Sequence, residues 1–345
     1  MNSHYLKTEI GQIETLFTTA PQPEDWLRKL GMSQPPPISF HPQALVLGSL
    51  KTQKPTIGLV VPLYNNNLSD SLDNFLDSSN FGHLASALAL LRWANSQADL
   101  PIRPVVIPYL ENPNNNQSPL ENLFQKQRDL NHLDLALVLH PTGGRLWLGS
   151  KSEARFKLEY QGNEATGTAT PFSHLEKVAA LLSKLALELK HPPHERNEFE
   201  DQSSDISLHR IETGPTNQAS HCPTTFSLTL TCRLPATTSH FRLEEWIQSH
   251  LGKKLGPSSH QLRFIPGFKG ALQHPLVKQW VRRQGLKALD AKSWSPTAYL
   301  QQFDIDTFAF GVKKSTKDGN RKAPYFELFR VLRELFDSPL EDFAS

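Results

Sequence analysis

Three short apolar runs constrain this chain more than any other feature. PTIGLVVPLY (55–64), PIRPVVIPYL (101–110) and LDLALVLH (133–140) are nearly continuous in Val, Ile, Leu and Pro, without the polar alternation of a half-exposed strand. A strand apolar on both faces must be covered on both, the situation of a parallel sheet packed between helices. Between the first two runs lies GHLASALALLRWANSQ (82–97), with Ala and Leu at helical spacing, and a helix over Leu120 to Asp129 precedes the third. The alternation predicts an α/β fold with a largely parallel sheet flanked by helices. Ahead of it the chain reads as a helix around Glu9 to Phe17, a second near Glu24 to Leu30, and a Pro-rich loop.

The pattern changes after about residue 150. RFKLEYQG (155–162) alternates like a half-exposed strand, and SHLEKVAALLSKLALELK (173–190) is amphipathic, with Leu175, Val178, Leu182, Leu185 and Leu189 on one stripe behind Ser173 as N-cap. ISLHRIETG and TTFSLTLTCRLP read as strands, LEEWIQSHLG as a helix and QLRFIPG as a strand. The order β-α-β-β-α-β is that of a ferredoxin-like split unit. Helix HPLVKQWVRRQG, strand DTFAFGV and helix FELFRVLRELF then return to the first pattern. The expected organisation is one α/β domain of residues 1–150 plus 268–345, with 151–267 inserted as a lid.

Lys and Arg number 36 against 34 Asp and Glu, a net charge of +2, so global charge gives no reason to expect nucleic acid or an anionic membrane as partner. The most basic tracts, KQWVRRQGLK (278–287) and VKKSTKDGNRK (312–322), are local. Cys222 and Cys232 form neither a zinc knuckle nor a disulfide framework. The N-terminal MNSHYLKTEIGQIETLF lacks a basic segment leading into an apolar core, and no apolar run approaches the roughly 20 residues of a membrane helix, so a cytoplasmic protein is expected. His191 and His194 in HPPHE are separated by prolines and cannot share a helical face, and His221–Cys222 would point to opposite sides of a strand.

The third apolar run ends on His140, then Pro-Thr-Gly-Gly, which delivers a titratable side chain to the strand edge where α/β sheets bind ligands. With LEYQG, the Pro-bearing TATP, TGPTNQAS, LTCRLP and KAPYFELF following in order, the chain from Pro55 to Phe336 resembles the two-zinc amidohydrolases that include acetylornithine deacetylase, succinyl-diaminopimelate desuccinylase, aminoacylase and glutamate carboxypeptidase. The resemblance implies an inserted lid that also serves as the dimer surface. It implies that Asn217 and Arg233 grip a substrate carboxylate, with Pro215 and Thr231 departing from the pattern.

It also implies a metal centre, in which two zinc ions about 3.5 Å apart clamp hydroxide and polarise an amide carbonyl. Every ligand position is altered. Residues 55–67 contain no His, Asp or Glu, and Pro62 and Tyr64 stand at the His and Asp places. Ser79 or Asn80 falls at the bridging Asp, with Asp77 and His83 close by; the Glu-Glu pair is reduced to Glu111-Asn112, Glu111 matching the general base; the strand-end acid is His140. No histidine follows His274, and Glu327 survives without the family's late His. Two readings follow. In one, the chain is a catalytically degenerate homologue without metal, binding an amino-acid-like or peptide-like ligand or pairing with itself or an active partner through the lid. In the other, Asp77, His83, Glu111 and His140 rebuild a single-zinc site, or Glu111 and His140 a metal-free one, in an active amidohydrolase or deacylase.

Overall fold

The three apolar runs become neighbouring strands. The computed structural model describes residues 3–19, 29–30, 39–41, 43–50, 54–64, 80–111, 118–161, 179–180, 183, 205–213, 225–234, 236, 241, 258–265, 267–271, 274–291, 296–312 and 323–337. In chain order the elements are α1 (Ser3–Thr19), β1 (Ser39–His41), β2 (Ala44–Val46), β3 (Thr56–Tyr64), α2 (Phe81–Asn95), β4 (Arg103–Glu111), α3 (Pro119–Lys126), β5 (Leu135–Leu139), β6 (Leu146–Ser150) and β7 (Ser152–Gln161). They continue with β8 (Asp205–Thr213), β9 (Thr225–Leu234), β10 (Ser258–Ile265), β11 (Phe268–Lys269), α4 (Pro275–Gln284), β12 (Ala288–Ala291), α5 (Thr297–Gln301), β13 (Thr307–Phe310) and α6 (Ala323–Phe336). The chain divides into two units: Met1–Leu148 with Lys269–Leu289 and Tyr299–Ser345, and Gly149–Phe268 with Asp290–Ala298. No helix among the described residues is long and apolar enough to cross a membrane.

The first unit is built on the sheet β1-β2-β4-β3-β5-β13-β6-β11, with β12 beside β6. Its centre is parallel: β3 pairs with β4 from Thr56↔Arg103 to Tyr64↔Glu111, and with β5 from Ile57↔Leu135 to Val60↔Val138, while β13 runs parallel to β5 up to Phe310↔Leu139. The antiparallel strands lie outside these, β2 against β4 and β6 against β13. β5 is buried throughout, as its unbroken apolar text requires. Helix α2 is buried over nearly its whole circumference, which explains why Ala and Leu fill it without a polar stripe. It packs against β3, β4, α1 and α6. Trp280 of α4 packs tilted against Phe308 and edge-to-face against Phe310, and its Nε1 donates to Val331 O of α6 at 3.2 Å.

Helix α1 is longer than its periodicity suggested, because Leu6, Ile10 and Ile13 are all buried in the core beside α2. Glu9 lies fully buried on the same side and pairs with Arg92 of α2, whose Nη2 also donates to Gln12 at 2.8 Å. Burial outweighs the Arg92 guanidinium and pushes the Glu9 carboxyl up to about 7. The helix expected over Leu120 to Asp129 stops at Lys126 and gives way to a tighter turn over Arg128–His132; Pro119 and the capping box of Ser118 with Glu121 set its start. Strands β1, β2, β6, β11 and β12 were not legible from the sequence. They have two to five residues each and flank or edge a core that supplies their neighbours. The helix expected near Glu24 to Leu30 falls largely outside the described residues.

The second unit carries a four-stranded sheet, order β10-β7-β9-β8, with every pair antiparallel. Its register separates two faces. Ala154, Phe156, Leu230, Cys232 and Leu234 are buried on one, where burial raises the Cys232 thiol to about 12. Glu153, Arg155, Lys157 and Arg233 stand on the other, with ion pairs Arg155–Glu153 and Lys157–Glu159 along it. The two helices expected over 173–190 and LEEWIQSHLG fall largely outside the described residues, as does Cys222.

The buried Glu9 gives this packing a pH signature. Arg92→Met leaves Glu9 without its cation, and an unpaired buried carboxyl must hold a proton it would release when unfolded. The expected cost is about 2 kcal/mol at pH 8, Arg92 itself being partly exposed, and much less at pH 5. Denaturant titration at the two pH values checks this, and equal losses would contradict it.

Candidate functional site

Because β4, β3, β5 and β13 are parallel, their C-terminal ends lie along one edge of the sheet, and chemistry-bearing side chains collect there. Glu111 is the last residue of β4, level with Tyr64 of β3, and is only 3% exposed. β5 pairs with β3 as far as Val60↔Val138, and His140 follows two residues further along, directly after Leu139 ends the strand. β3 lies between β4 and β5, so the backbones of Glu111 and His140 are two strand spacings apart, about 9.6 Å across the sheet, and offset by about two residues along it.

The start of α2 closes over the same edge. Asn80 is its N-cap in the left-handed conformation, φ 62°, which asparagine tolerates better than most residues. Its Nδ2 donates to Pro62 O at 2.9 Å, tying the helix start to the end of β3. Gly82 follows, and any Cβ there would overlap the ring of Tyr325 from α6. Ser86 Oγ lies 2.9 Å from Gly82 O and 3.2 Å from Tyr325 O, locking the two helices together.

His83 stands in the first turn of α2, 1% exposed, edge-to-face with Tyr325 at 5.6 Å between ring centroids. Neither of its ring nitrogens has a hydrogen-bond partner among the described residues. Its Nε2 end abuts Gly311 just past β13: a Cβ on Gly311 would lie 2.5 Å from Nε2 and would collide with His140 O. His140 N donates to Phe310 O at 3.2 Å, and its ring lies against Trp147 of β6 at 5.3 Å. Burial, with a smaller repulsion from His140, lowers His83 to about 3, and burial lowers His140 to about 4, so both imidazoles are neutral at physiological pH. The Pro-Thr-Gly-Gly turn is a clamp between strands. Gly311 N donates to Thr142 Oγ1 at 3.0 Å, and Gly144 N donates to Gly311 O at 2.8 Å.

The fold therefore brings Glu111, His83 and His140 to one edge. Asp77, Ser79, Asn112 and Asn217, with His191, His194, His221 and Cys222, lie outside the described residues. Glu111 is buried, unlike a glutamate on a solvated strand end. Arg233 belongs to the second unit, exposed on the polar face of its sheet, with Glu153 and Asp205 directly across from it on either side. Glu327 is exposed on α6 and bonded to Arg330, which holds its carboxyl below its ordinary value. His274 caps α4 near Asp134 and Asp306, which precede β5 and β13, so it lies at the opposite edge of the sheet. Sequence reasoning missed Tyr325, Trp147 and Gly311, which only long-range packing brings to the site. An Asn directly before an Ala-rich helix was a readable N-cap signal.

A zinc pair would need carboxylates to hold and bridge it. Among the described residues no three His, Cys, Asp or Glu side chains converge on a common point. What those residues offer is two neutral imidazoles on the β5 and α2 side and one buried carboxyl two strands away. The Asn80 side chain, at one of the two places for a bridging acid, is an amide already donating to a carbonyl. That donor set does not fit a two-zinc centre.

No family model matches the sequence, and no curated protein matches it. Solved structures do match. The M20 family metallo-carboxypeptidase Sso-CP2 of Sulfolobus solfataricus superimposes with a TM-score of 0.66 at 12% identity, covering 95% of this chain and 98% of that one. The di-peptidase Dug1p of Saccharomyces cerevisiae gives 0.61 at 13% identity over 97% and 98%, and Bacillus subtilis YXEP, a dinuclear metal binding peptidase, gives 0.60 at 12% over 97% and 98%. This chain has the fold of the M20 metallopeptidases.

Both imidazoles are neutral in the folded state but would protonate near 6.5 if unfolded, so their contribution to stability is complete above about pH 6.5 and is lost as pH falls toward 4. His83→Leu removes one such group together with ring nitrogens that have no hydrogen-bond partner among the described residues, a burial that costs about 1–3 kcal/mol when unpaired. The variant is expected to melt no lower than the parent at pH 8 and several degrees higher at pH 5; a lower melting temperature at both would show that the imidazole is stabilising. Gly311→Ala is expected to cost about 1–3 kcal/mol or more, because the methyl meets His83 and the His140 backbone, neither able to retreat far. Chemical denaturation reads this directly.

Proposed function

We propose that this chain is a catalytically degenerate relative of the zinc amidohydrolases and exopeptidases, binding an amino-acid-like or peptide-like molecule or an active partner. The observation that carries the reading is the chemistry of the strand-end edge. Among its described residues a single carboxyl, Glu111, stands where paired divalent cations would need several, and the nearby imidazoles are neutral. Two divalent ions at such an edge would repel each other without compensation. Supporting a binding role in the first unit is the sheet edge closed by α2; in the second unit, Arg233 on the polar face of the sheet is the proposed fork for a ligand carboxylate, with Asn217 its expected companion. That unit is the proposed ferredoxin-like lid and dimer surface.

A second reading has a specific observation in its favour. Glu111 is buried at a strand end, which suits a general base better than a solvated position would. It makes the chain an amidohydrolase or deacylase with a rebuilt site on Glu111 and His140, alone or with one zinc ion that Asp77 and His83 help to hold. Assay of N-acyl amino acids and dipeptides, with and without added zinc, separates the two. The degenerate reading expects no turnover, together with a rise of several degrees in melting temperature for a carboxylate-bearing ligand, lost in Arg233→Ala. Turnover abolished by both Glu111→Gln and His140→Ala would establish the enzyme instead.

A further inference from the structure

Several outward-facing cations among the described residues have carboxylate partners. Arg155, Lys157, Arg210 and Arg330 each have a carboxylate partner. The surface formed by α4 and the start of β12 is different. Lys278 and Arg282 on α4, Lys287 beyond its C-terminal Gly285, and Arg145 at the start of β6 are all exposed, and none has an ion-pair partner among the described residues. They belong to one unit, and Arg145 and Lys287 are neighbours because Leu146 N donates to Lys287 O at 3.0 Å. Residues 274–289, HPLVKQWVRRQGLKAL, contain no Asp or Glu. Glu334 of α6, which meets Gln284 at the end of α4, is also bonded to Arg330.

Helix electrostatics explains part of this. Basic residues at the last turn of a helix are favoured by its dipole, which accounts for Arg282 and its neighbour Arg283 but not for Lys278, Lys287 or Arg145. We infer that this surface docks an acidic peptide segment of a protein partner. The carrier is rigid, since Leu276, Val277 and Trp280 bury the opposite side of α4 in the core. Lys278 and Arg282, four residues apart, are separated by about 6 Å along the helix axis. Alternate side chains of an extended peptide recur every 6.6 Å or so on one side, so carboxylates at every second residue meet successive cations. Phosphates could offer similar charge, but a surface for a nucleic-acid strand usually adds exposed aromatic rings for base stacking. Here the aromatic residue, Trp280, is buried, and the only large exposed hydrophobic among the described residues is Phe241, in the other unit.

Fluorescence anisotropy of the full chain with a labelled peptide of alternating Glu and Ser, six glutamates long, tests the inference. Binding is expected at about 50 mM salt and should weaken tenfold or more at about 300 mM. Lys278→Glu/Arg282→Glu/Lys287→Glu should abolish it and the corresponding triple Gln variant should weaken it by about tenfold, while Lys7→Glu, an exposed cation elsewhere, leaves it unchanged. All these positions are exposed, and an unchanged melting temperature verifies folding. Absence of binding, equal binding by the charge-reversed variant, or tighter binding of a single-stranded oligonucleotide of equal charge would each overturn the assignment.

Discussion

The parallel register of β4, β3, β5 and β13 is the constraint on which the rest of the first unit depends. Parallel strands end together, so the residue each run finishes on is delivered to a common edge whatever its chemistry. Glu111, His140 and Gly311 arrive there as strand ends, and α2 must return across the same edge to begin its crossover, which brings Asn80, Gly82 and His83 with it. Burial does the remainder. An edge closed by Tyr325 and Trp147 is poor in water, and in such surroundings imidazoles lose their protons.

At the same edge, architecture and side-chain chemistry can be considered separately. Asn80 shows how. At one of the two places where the resembled enzymes carry a bridging acid, an amide hydrogen-bonds to the Pro62 carbonyl, an arrangement a carboxylate could not make because it has no donor. The Pro-Thr-Gly-Gly turn has a structural role of its own, since Thr142 and Gly144 fasten β5 to the residue that follows β13. Backbone clamps and strand register of this kind hold the fold without calling on metal ligands.

Much of this was legible in the sequence. The continuous apolar text of 55–64, 101–110 and 133–140 could only be satisfied by a covered parallel sheet, and the break after residue 150 marked a second pattern. The short strands β1, β2, β6, β11 and β12 were not legible, because strands of so few residues carry no periodicity and are held by tertiary neighbours. The site was half legible. His140 and Glu111 announce themselves by ending apolar runs, and His83 by standing at the head of an apolar helix. The burial of Glu111, the contact of Tyr325 with Gly82 and the closeness of Gly311 to His83 join residues scores or hundreds of positions apart, and no local pattern encodes them.

Whether the strand-end edge holds divalent cations can be measured without knowing any ligand. Protein expressed in zinc-replete medium, purified without chelator and analysed by elemental mass spectrometry is expected to carry zinc well below one ion per chain, because a neutral edge with one described carboxyl cannot offset the charge of a pair. Two tightly held ions per chain, retained through extensive dialysis, would contradict the account.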